Sequence, residues 1–205
     1  MNVPSAKVAV VDSGVANLAS VMAALQRVGS GAEITSDADH IRTAERVILP
    51  GVGAAAAAMQ QLRRKGLVDV LRGLTQPVLG ICLGMQLLFA RSHEGKEGPV
   101  ECLGLIPGDV EPLPASPEKP VPHMGWNQLS LRRPDHALLR GIGDGSFVYF
   151  VHSYAVPTTD AALATTEYGQ TFASVVGFDN FFGCQFHPER SGKVGAQVLR
   201  NFLDL

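Results

Sequence analysis

The sequence predicts an α/β fold in which a mostly parallel, doubly wound sheet flanked by helices is extended by antiparallel strands. In the first ninety residues, short apolar runs alternate with segments whose apolar residues recur at helical spacing. The second half instead carries several strand-like segments and a hairpin. With 205 residues, 46% hydrophobic content and 18% charged content, the chain fits one compact soluble domain over 1–205.

Four strands and three helices are expected before Cys82. Asp12 ends the first strand, Gly29 closes the first helix, and Pro50-Gly51-Val52-Gly53 stops the third strand. The expected strands cover 7–11, 32–35, 46–49 and 77–81, and the expected helices cover 17–28, 54–64 and 68–74. Because the carboxyl ends of parallel strands meet at one edge of a sheet, the 50–53 loop and Cys82 are expected to be neighbours.

The second half is expected to hold several strands followed by one helix. Asp179-Asn180 is predicted to turn a hairpin, and the proline-rich stretch 112–122 is predicted to be an irregular surface loop. The expected strands cover 104–113, 126–131, 147–156, 163–168, 172–178 and 181–186, and the closing helix covers 192–203.

Charge and cysteine usage exclude several functional classes. The net charge is −2 and no basic cluster exceeds Arg63-Arg64-Lys65, which argues against binding to nucleic acid or to an anionic membrane. We expect neither a signal peptide nor a transmembrane segment. Three cysteines without regular spacing favour the reducing cytoplasm, and the absence of CxxC, HExxH and EF-hand patterns predicts no metal and no cofactor.

The pattern Gly80-Ile81-Cys82-Leu83-Gly84 predicts a nucleophilic cysteine. An apolar run ends at Cys82, and a helix-patterned run with Leu83, Leu87 and Ala90 follows it. This is the strand-to-helix elbow that exposes a nucleophile above a sheet, with sulfur in place of oxygen. The helix N-terminus favours the thiolate. The alternative is a buried core cysteine, since free cysteine packs as a small hydrophobe.

His187-Pro188-Glu189 predicts the base that such a nucleophile needs. On an extended segment, residues two apart point the same way, so Glu189 can accept from the imidazole of His187 and orient it. Pro188 stiffens the spacing. The alternative is a turn in which a histidine and a glutamate occur by chance.

An acyl-transfer site also needs donors for an oxyanion. The backbone N–H of Leu83, directly after the nucleophile, supplies one donor. The glycine-containing loop 50–53 is expected to supply a second donor from the neighbouring strand end. The alternative for this loop is an ordinary strand-to-helix turn.

Together these motifs resemble the class I, triad-type glutamine amidotransferases. The resemblance rests on Gly80-Ile81-Cys82-Leu83-Gly84-Met85-Gln86 and Phe186-His187-Pro188-Glu189, which lie about a hundred residues apart. Three further motifs resemble the branch of the family that serves histidine biosynthesis: Pro50-Gly51-Val52-Gly53, His123-Met124-Gly125-Trp126-Asn127 and Tyr149-Phe150-Val151-His152-Ser153-Tyr154. The resemblance covers nearly the whole chain and implies a flavodoxin-like fold.

The resemblance also implies residue roles. The implied catalytic residues are Cys82 as nucleophile, His187 as acid and base, and Glu189 as the group that orients His187. Backbone amides of Val52 and Leu83 would bind the oxyanion. Glutamine would be held by Gly51, Gly53, Gln86, Ser153 and Tyr154. Ammonia would pass to a (β/α)8 cyclase subunit, which Asn17 and Trp126 would face in a heterodimer.

Some positions depart from the family pattern, and other functions stay open. Ser13 and Ala16 stand where the family often has tyrosine and glycine, which weakens inferences about the first loop. Cys102 and Cys184 lack an elbow and are expected to be structural. The alternatives are a glutaminase of another amidotransferase branch, a stand-alone γ-glutamyl thiol hydrolase and a catalytically silent scaffold.

Overall fold

The computed structural model describes residues 7–14, 17–95 and 98–205, and its core is an eight-stranded sheet. The departure at Ala16 lies outside the described residues, whereas Ser13 is buried. The first half contains β1 (Val8–Val11), α1 (Leu18–Arg27), β2 (Glu33–Thr35), α2 (Ala38–Thr43), β3 (Arg46–Gly51), α3 (Ala55–Arg64), α4 (Leu67–Arg72), β4 (Val78–Cys82), α5 (Leu83–Leu88) and β5 (Phe89–Ser92).

The second half is mostly β-structure and ends in one helix. It contains β6 (Val100–Glu101), β7 (Ile106–Pro112), β8 (His123–Gln128), β9 (Ser130–Leu131), β10 (Phe147–His152), β11 (Tyr154–Ala155), β12 (Ala162–Tyr168), β13 (Gln170–Phe178), β14 (Phe181–Cys184) and α6 (Gly192–Leu203). Two short 3-10 helices cover Ala137–Leu139 and Pro188–Arg190. No helix in the described ranges is long and apolar enough to cross a membrane.

The strand order of the large sheet is β2-β1-β3-β4-β14-β13-β12-β9. The first five strands pair in parallel, and β13, β12 and β9 add antiparallel strands at one side. This confirms the expected mostly parallel sheet with added antiparallel strands. Gly51, the last residue of β3, pairs with Cys82, the last residue of β4, so the two motifs meet as expected.

Two apolar layers enclose the large sheet. Successive residues of a strand point to opposite faces. Accordingly, Ala9 and Val11 enter one buried cluster, whereas Val8 and Val10 enter the other. Helices α2, α3 and α4 contribute to the first cluster, and α1 and α6 contribute to the second. The sheet is therefore doubly wound.

The structure corrects the helical run predicted after the elbow. Helix α5 ends at Leu88, and Ala90 lies in β5 rather than on the helix. The backbone amides of Leu103 and Leu105 donate to the carbonyls of Leu87 and Leu88 at 2.9 and 2.8 Å. Residues 103 and 105 thus donate to the carbonyls that would accept from the next turn of a longer helix. The chain therefore leaves the helix at Leu88 and continues as a strand.

Two predicted strands are also divided. The stretch 126–131 forms β8 and β9, and the stretch 147–156 forms β10 and β11. In each case the two strands belong to different sheets. Strands β8 and β10 form a separate two-stranded ribbon.

The short helix α2 was not expected. Its N-cap is Asp37, whose side chain accepts from the backbone N–H of His40 at 2.7 Å.

Candidate active site

Cys82 occupies a strained elbow between β4 and α5. Its backbone has φ 53° and ψ −112°, a conformation that L-residues rarely adopt. The flanking glycines are required by close packing. A Cβ on Gly80 would lie 2.6 Å from Met85 Cα, and a Cβ on Gly84 would overlap the Leu49 carbonyl oxygen. The elbow is thus pressed against the neighbouring strand, which fixes the position of the sulfur.

Gly51 is part of the same packing. A Cβ at this position would lie 2.9 Å from the Gly84 backbone nitrogen and 3.0 Å from Leu83 Cβ. Gly53 differs, because it has φ +85° and open space around its Cα. Glycine is therefore needed at position 51 for close approach and at position 53 for conformation.

His187 and Glu189 form the expected pair. The Glu189 Oε1 atom lies 2.8 Å from His187 Nδ1, and the two side chains are only 3% and 7% exposed. The structure corrects the geometry that leads to this contact, because Pro188–Arg190 is a 3-10 helix and not an extended segment. The backbone is held by a hydrogen bond of 2.7 Å from Ser191 Oγ to the His187 carbonyl.

The electrostatics of His187 favour its protonated form. Burial opposes the charge, but interactions with Cys82 and Glu189 outweigh it and raise the pKa of His187 to about 10. Because Nδ1 faces the carboxylate, Nε2 is the nitrogen that remains for proton exchange. Nε2 is buried and has no hydrogen-bond partner within the described ranges. The arrangement therefore holds His187 as the imidazolium at neutral pH.

Cys82 and His187 line the same cavity, which has a volume of about 270 Å³. Eight of the residues that the sequence assigned to the site line it: Val52, Gly53, Cys82, Leu83, Gln86, Ser153, Tyr154 and His187. Gly51 and Glu189 lie behind this wall and line a small adjacent recess together with Asn17. The tertiary structure thus brings the predicted catalytic and binding residues to one place.

Sequence reasoning missed two polar residues of the site. Gln185 is fully buried, and its Nε2 atom donates to Cys82 Sγ at 3.7 Å, while its Oε1 atom accepts from Gln86 Nε2 at 2.9 Å. The sequence feature that could have indicated Gln185 is its position as a polar residue within the otherwise apolar stretch 181–186. Glu94 also lines the cavity, and its carboxylate accepts from the Ala55 backbone N–H at 2.6 Å.

The two residues assigned to a partner interface lie at the surface. Trp126 is 56% exposed on the ribbon and touches Tyr149 edge to face at a centroid distance of 6.0 Å. Met124 and Phe147 on the same ribbon are also exposed. Asn17 is exposed and caps α1, accepting from the Ser20 backbone N–H. Trp126 is therefore not a core residue.

One group of side chains in the described ranges has the composition of a metal site. The Nε2 atom of His93 lies 3.4 Å from a carboxylate oxygen of both Asp109 and Glu111. Asp109 is already neutralised by Arg91, whose guanidinium nitrogen is 2.8 Å away. None of these three residues lines the cavity that Cys82 and His187 line.

Cys102 and Cys184 are both buried and form no disulfide. Burial raises the pKa of the Cys102 thiol to about 12 and raises that of Cys184 well above its ordinary value. Neither sulfur is therefore available as a thiolate near neutral pH, as expected for structural cysteines.

An elbow cysteine, a buried histidine–glutamate pair and a doubly wound sheet define a class I glutamine amidotransferase. The model of the family "Glutamine amidotransferase class-I" matches residues 9–205, and the chain belongs to this family.

Relatives with curated names narrow the similarity further. The chain is 50% identical to "Imidazole glycerol phosphate synthase subunit HisH" of Shewanella sediminis, covering 100% of this chain and 94% of the relative. It is 54% identical to the protein of the same name from Idiomarina loihiensis, with 97% of each covered.

Solved structures share the fold at lower identity. A structure described as a glutamine amidotransferase has a TM-score of 0.73 at 20% identity, with 96% of this chain and 97% of that chain covered. A chain of PurLQS from Thermotoga maritima has a TM-score of 0.72 at 20% identity, with 98% of each chain covered. These two similarities support the architecture of the sheet.

Proposed function

We propose that Cys82, His187 and Glu189 hydrolyse glutamine to glutamate and ammonia, and that the chain is the glutaminase subunit of imidazole glycerol phosphate synthase. The observation that carries this proposal is the buried His187–Glu189 pair, 2.8 Å apart, whose histidine lines the same cavity as the strained Cys82 elbow. The names of the relatives at about half identity support this branch of the family over the others.

The first half-reaction forms a thioester. The Cys82 thiolate attacks the side-chain amide carbon of glutamine, and the carbonyl π electrons move onto oxygen. Backbone amides of Val52 and Leu83 stabilise that oxyanion. His187 then gives its proton to the departing nitrogen, ammonia leaves, and a γ-glutamyl thioester remains on the sulfur. Glu189 holds His187 in the required tautomer throughout.

The second half-reaction releases glutamate. Neutral His187 accepts a proton from water, and the resulting hydroxide attacks the thioester carbon. The carbon–sulfur bond breaks, Cys82 leaves as the thiolate, and His187 is again the imidazolium. Gly51, Gly53, Gln86, Ser153 and Tyr154 hold glutamine during both steps. Four of them line the cavity directly, and Gly51 shapes it from behind.

The ammonia is delivered to a cyclase partner with a (β/α)8 fold. There it joins a ribotide substrate to give imidazole glycerol phosphate and an aminoimidazole carboxamide ribotide in L-histidine biosynthesis. Trp126 and Asn17 face this partner in a cytoplasmic heterodimer. The exposed apolar ribbon supports this, because exposed aromatic residues are enriched at protein interfaces. Residues 1–205 act as one amidotransferase domain.

Turnover is controlled by the peptide between Gly51 and Val52. Gly51 packs so closely on α5 that a Cβ would lie 2.9 Å from the Gly84 nitrogen, whereas Val52, directly after β3, is 38% exposed. A rotation of the peptide plane can therefore change the direction of the Val52 N–H without moving the strand. The partner and its ligand turn this N–H toward the oxyanion and so prevent idle hydrolysis.

Glutaminase activity tests these assignments with and without the cyclase partner and its ribotide ligand. The complex should hydrolyse glutamine much faster than the isolated chain. Cys82→Ala should abolish glutamine-dependent synthesis, while added ammonia still supports the cyclase. Full activity of the isolated chain would refute the control by the 51–52 peptide and favour a stand-alone hydrolase. A Cys82→Ala complex that still uses glutamine would refute the nucleophile.

A further inference from the structure

Two histidines outside the catalytic triad form a buried pair, and one of them, His152, lines the cavity. His123 Nδ1 lies 2.9 Å from His152 Nε2, and His152 Nδ1 lies 2.8 Å from the Tyr154 carbonyl oxygen. His123 and His152 are 3% and 6% exposed and sit among the aromatic rings of Phe150 and Phe172. Two polar rings in an apolar cluster require satisfied hydrogen bonds, because unpaired polar groups are costly there.

Asn127 fixes the direction of these hydrogen bonds. Its Oδ1 atom accepts from the Gln128 backbone N–H at 2.8 Å, and its Nδ2 atom donates to the Glu167 carbonyl at 3.0 Å, so the amide orientation is determined. The same Nδ2 atom lies 3.3 Å from His123 Nε2, which must therefore accept. It follows that His123 donates from Nδ1, that His152 accepts at Nε2, and that His152 donates from Nδ1 to Tyr154.

The Tyr154 carbonyl links this chain of hydrogen bonds to the nucleophile. The same oxygen accepts from Gln86 Nε2 at 2.8 Å, and Gln86 also donates to Gln185 Oε1. Gln185 in turn donates to Cys82 Sγ. A continuous series of hydrogen bonds thus connects Asn127 on the ribbon to the sulfur of Cys82, and His152 and Gln86 both donate to the Tyr154 carbonyl within it.

We propose that His152, oriented by His123 and Asn127, is a positioning residue that sets the Tyr154 carbonyl and through it Gln86 for glutamine binding. The proposal deepens the proposed function, since it rests on the assignment of this cavity to glutamine. His152 itself lines the cavity between Val151 and Ser153, so the hydrogen bonds that orient its ring also hold this wall in place. A side chain that only filled space in this aromatic cluster would need no polar atoms and no fixed proton order.

Substitutions at His152 separate positioning from packing. His152→Phe fills the space but removes the donor to Tyr154, and His152→Asn places an amide near Nδ1 and retains that donor. In the complex with the cyclase, we expect His152→Phe to raise KM for glutamine about tenfold, the size expected for one lost buried hydrogen bond. His152→Asn should stay within about threefold of wild type. Ammonia-dependent synthesis should be unchanged in both.

Phe172→Leu is the matched control. Phe172 packs on the same cluster, 5.0 Å from the His152 ring, and makes no polar contact to the pocket. It should lower thermal stability and leave KM for glutamine near wild type. An unchanged KM in His152→Phe, or an equal rise of KM in Phe172→Leu, would overturn the proposal. Activity retained by Cys82→Ala would instead refute the underlying assignment of the site.

The proton order gives an independent spectroscopic test. In ¹⁵N NMR of the complex, His123 and His152 should both be neutral and carry their proton on Nδ1. Removing the donor with Asn127→Leu should change the tautomer signals of both rings and raise KM for glutamine. Protons on Nε2 in the wild-type complex would overturn the proposed order, and with it the role of His152 as donor to Tyr154.

Discussion

Acidification should destabilise the protein through the buried pair His123 and His152. Burial lowers the pKa of His123 to about 4, with added repulsion from Lys119, and lowers the pKa of His152 to about 3. In the unfolded chain both return to the ordinary value of 6.5. The unfolded state therefore binds more protons, so this stability is present above pH 6.5 and is lost as the pH falls.

The expected loss follows from the distance between the working pH and the ordinary pKa. At pH 5, about 1.5 units below 6.5, protonation of one unfolded histidine is worth about 2 kcal/mol at 1.36 kcal/mol per unit. The folded values lie well below pH 5, so the result depends little on them. The two histidines together should therefore lower the free energy of unfolding by about 4 kcal/mol between pH 7.5 and pH 5. This is a large part of the total free energy of unfolding of a typical domain, about 5–15 kcal/mol.

His187 contributes with the opposite sign. Its folded pKa is raised to about 10, so its stabilising effect is complete below pH 6.5 and is lost as the pH rises toward 10. His187 cannot therefore produce a loss of stability between pH 6.5 and pH 5. Its contribution and that of the His123–His152 pair change in different pH ranges and can be measured separately.

Urea denaturation at a series of pH values measures the effect. His152→Asn removes one of the two titrating rings, so its loss of unfolding free energy between pH 7.5 and pH 5 should be smaller than that of wild type by about 2 kcal/mol. All other titrating groups are shared and cancel in the comparison. Identical losses in the two proteins would show that His152 is not a buried neutral imidazole.

Three further substitutions test the site and its surroundings. Glu189→Gln removes the charge that supports imidazolium, so the pKa of His187 should fall from about 10 and kcat for glutamine hydrolysis should drop by about 10²–10⁴, with ammonia-dependent synthesis retained. Gly84→Ala places a Cβ against the Leu49 carbonyl and should cost about 3 kcal/mol of unfolding free energy. Gly143→Ala, whose Cβ would meet only Ser146 Oγ at 4.0 Å, should cost far less. Trp126→Ala should weaken cyclase binding by about tenfold or more and leave stability within about 0.5 kcal/mol. Phe178→Ala, an exposed aromatic at the opposite end of the sheet, should leave cyclase binding unchanged.

Local patterns were sufficient to predict which residues meet at the proposed catalytic centre. The glycines around Cys82 identify a sharp turn because no other residue tolerates the close approach of Leu49 and Met85. The position of Gly51 opposite Cys82 also followed from sequence, since parallel strands end at a common edge. The contact between His187 and Glu189 was predicted from an extended segment, and that local geometry was wrong. The segment is a 3-10 turn, which also brings the two side chains together.

The sequence by itself therefore determined the doubly wound sheet, the elbow and the identity of the three residues proposed for catalysis, because each depends on spacing along the chain. Tertiary structure alone decided where α5 ends, how 147–156 divides between two sheets, and which polar groups meet Cys82. Gln185 reaches the sulfur, and His152 reaches His123, through contacts between distant segments. Hydrogen bonds of this kind depend on the packing of whole strands, and no periodicity in the sequence specifies them.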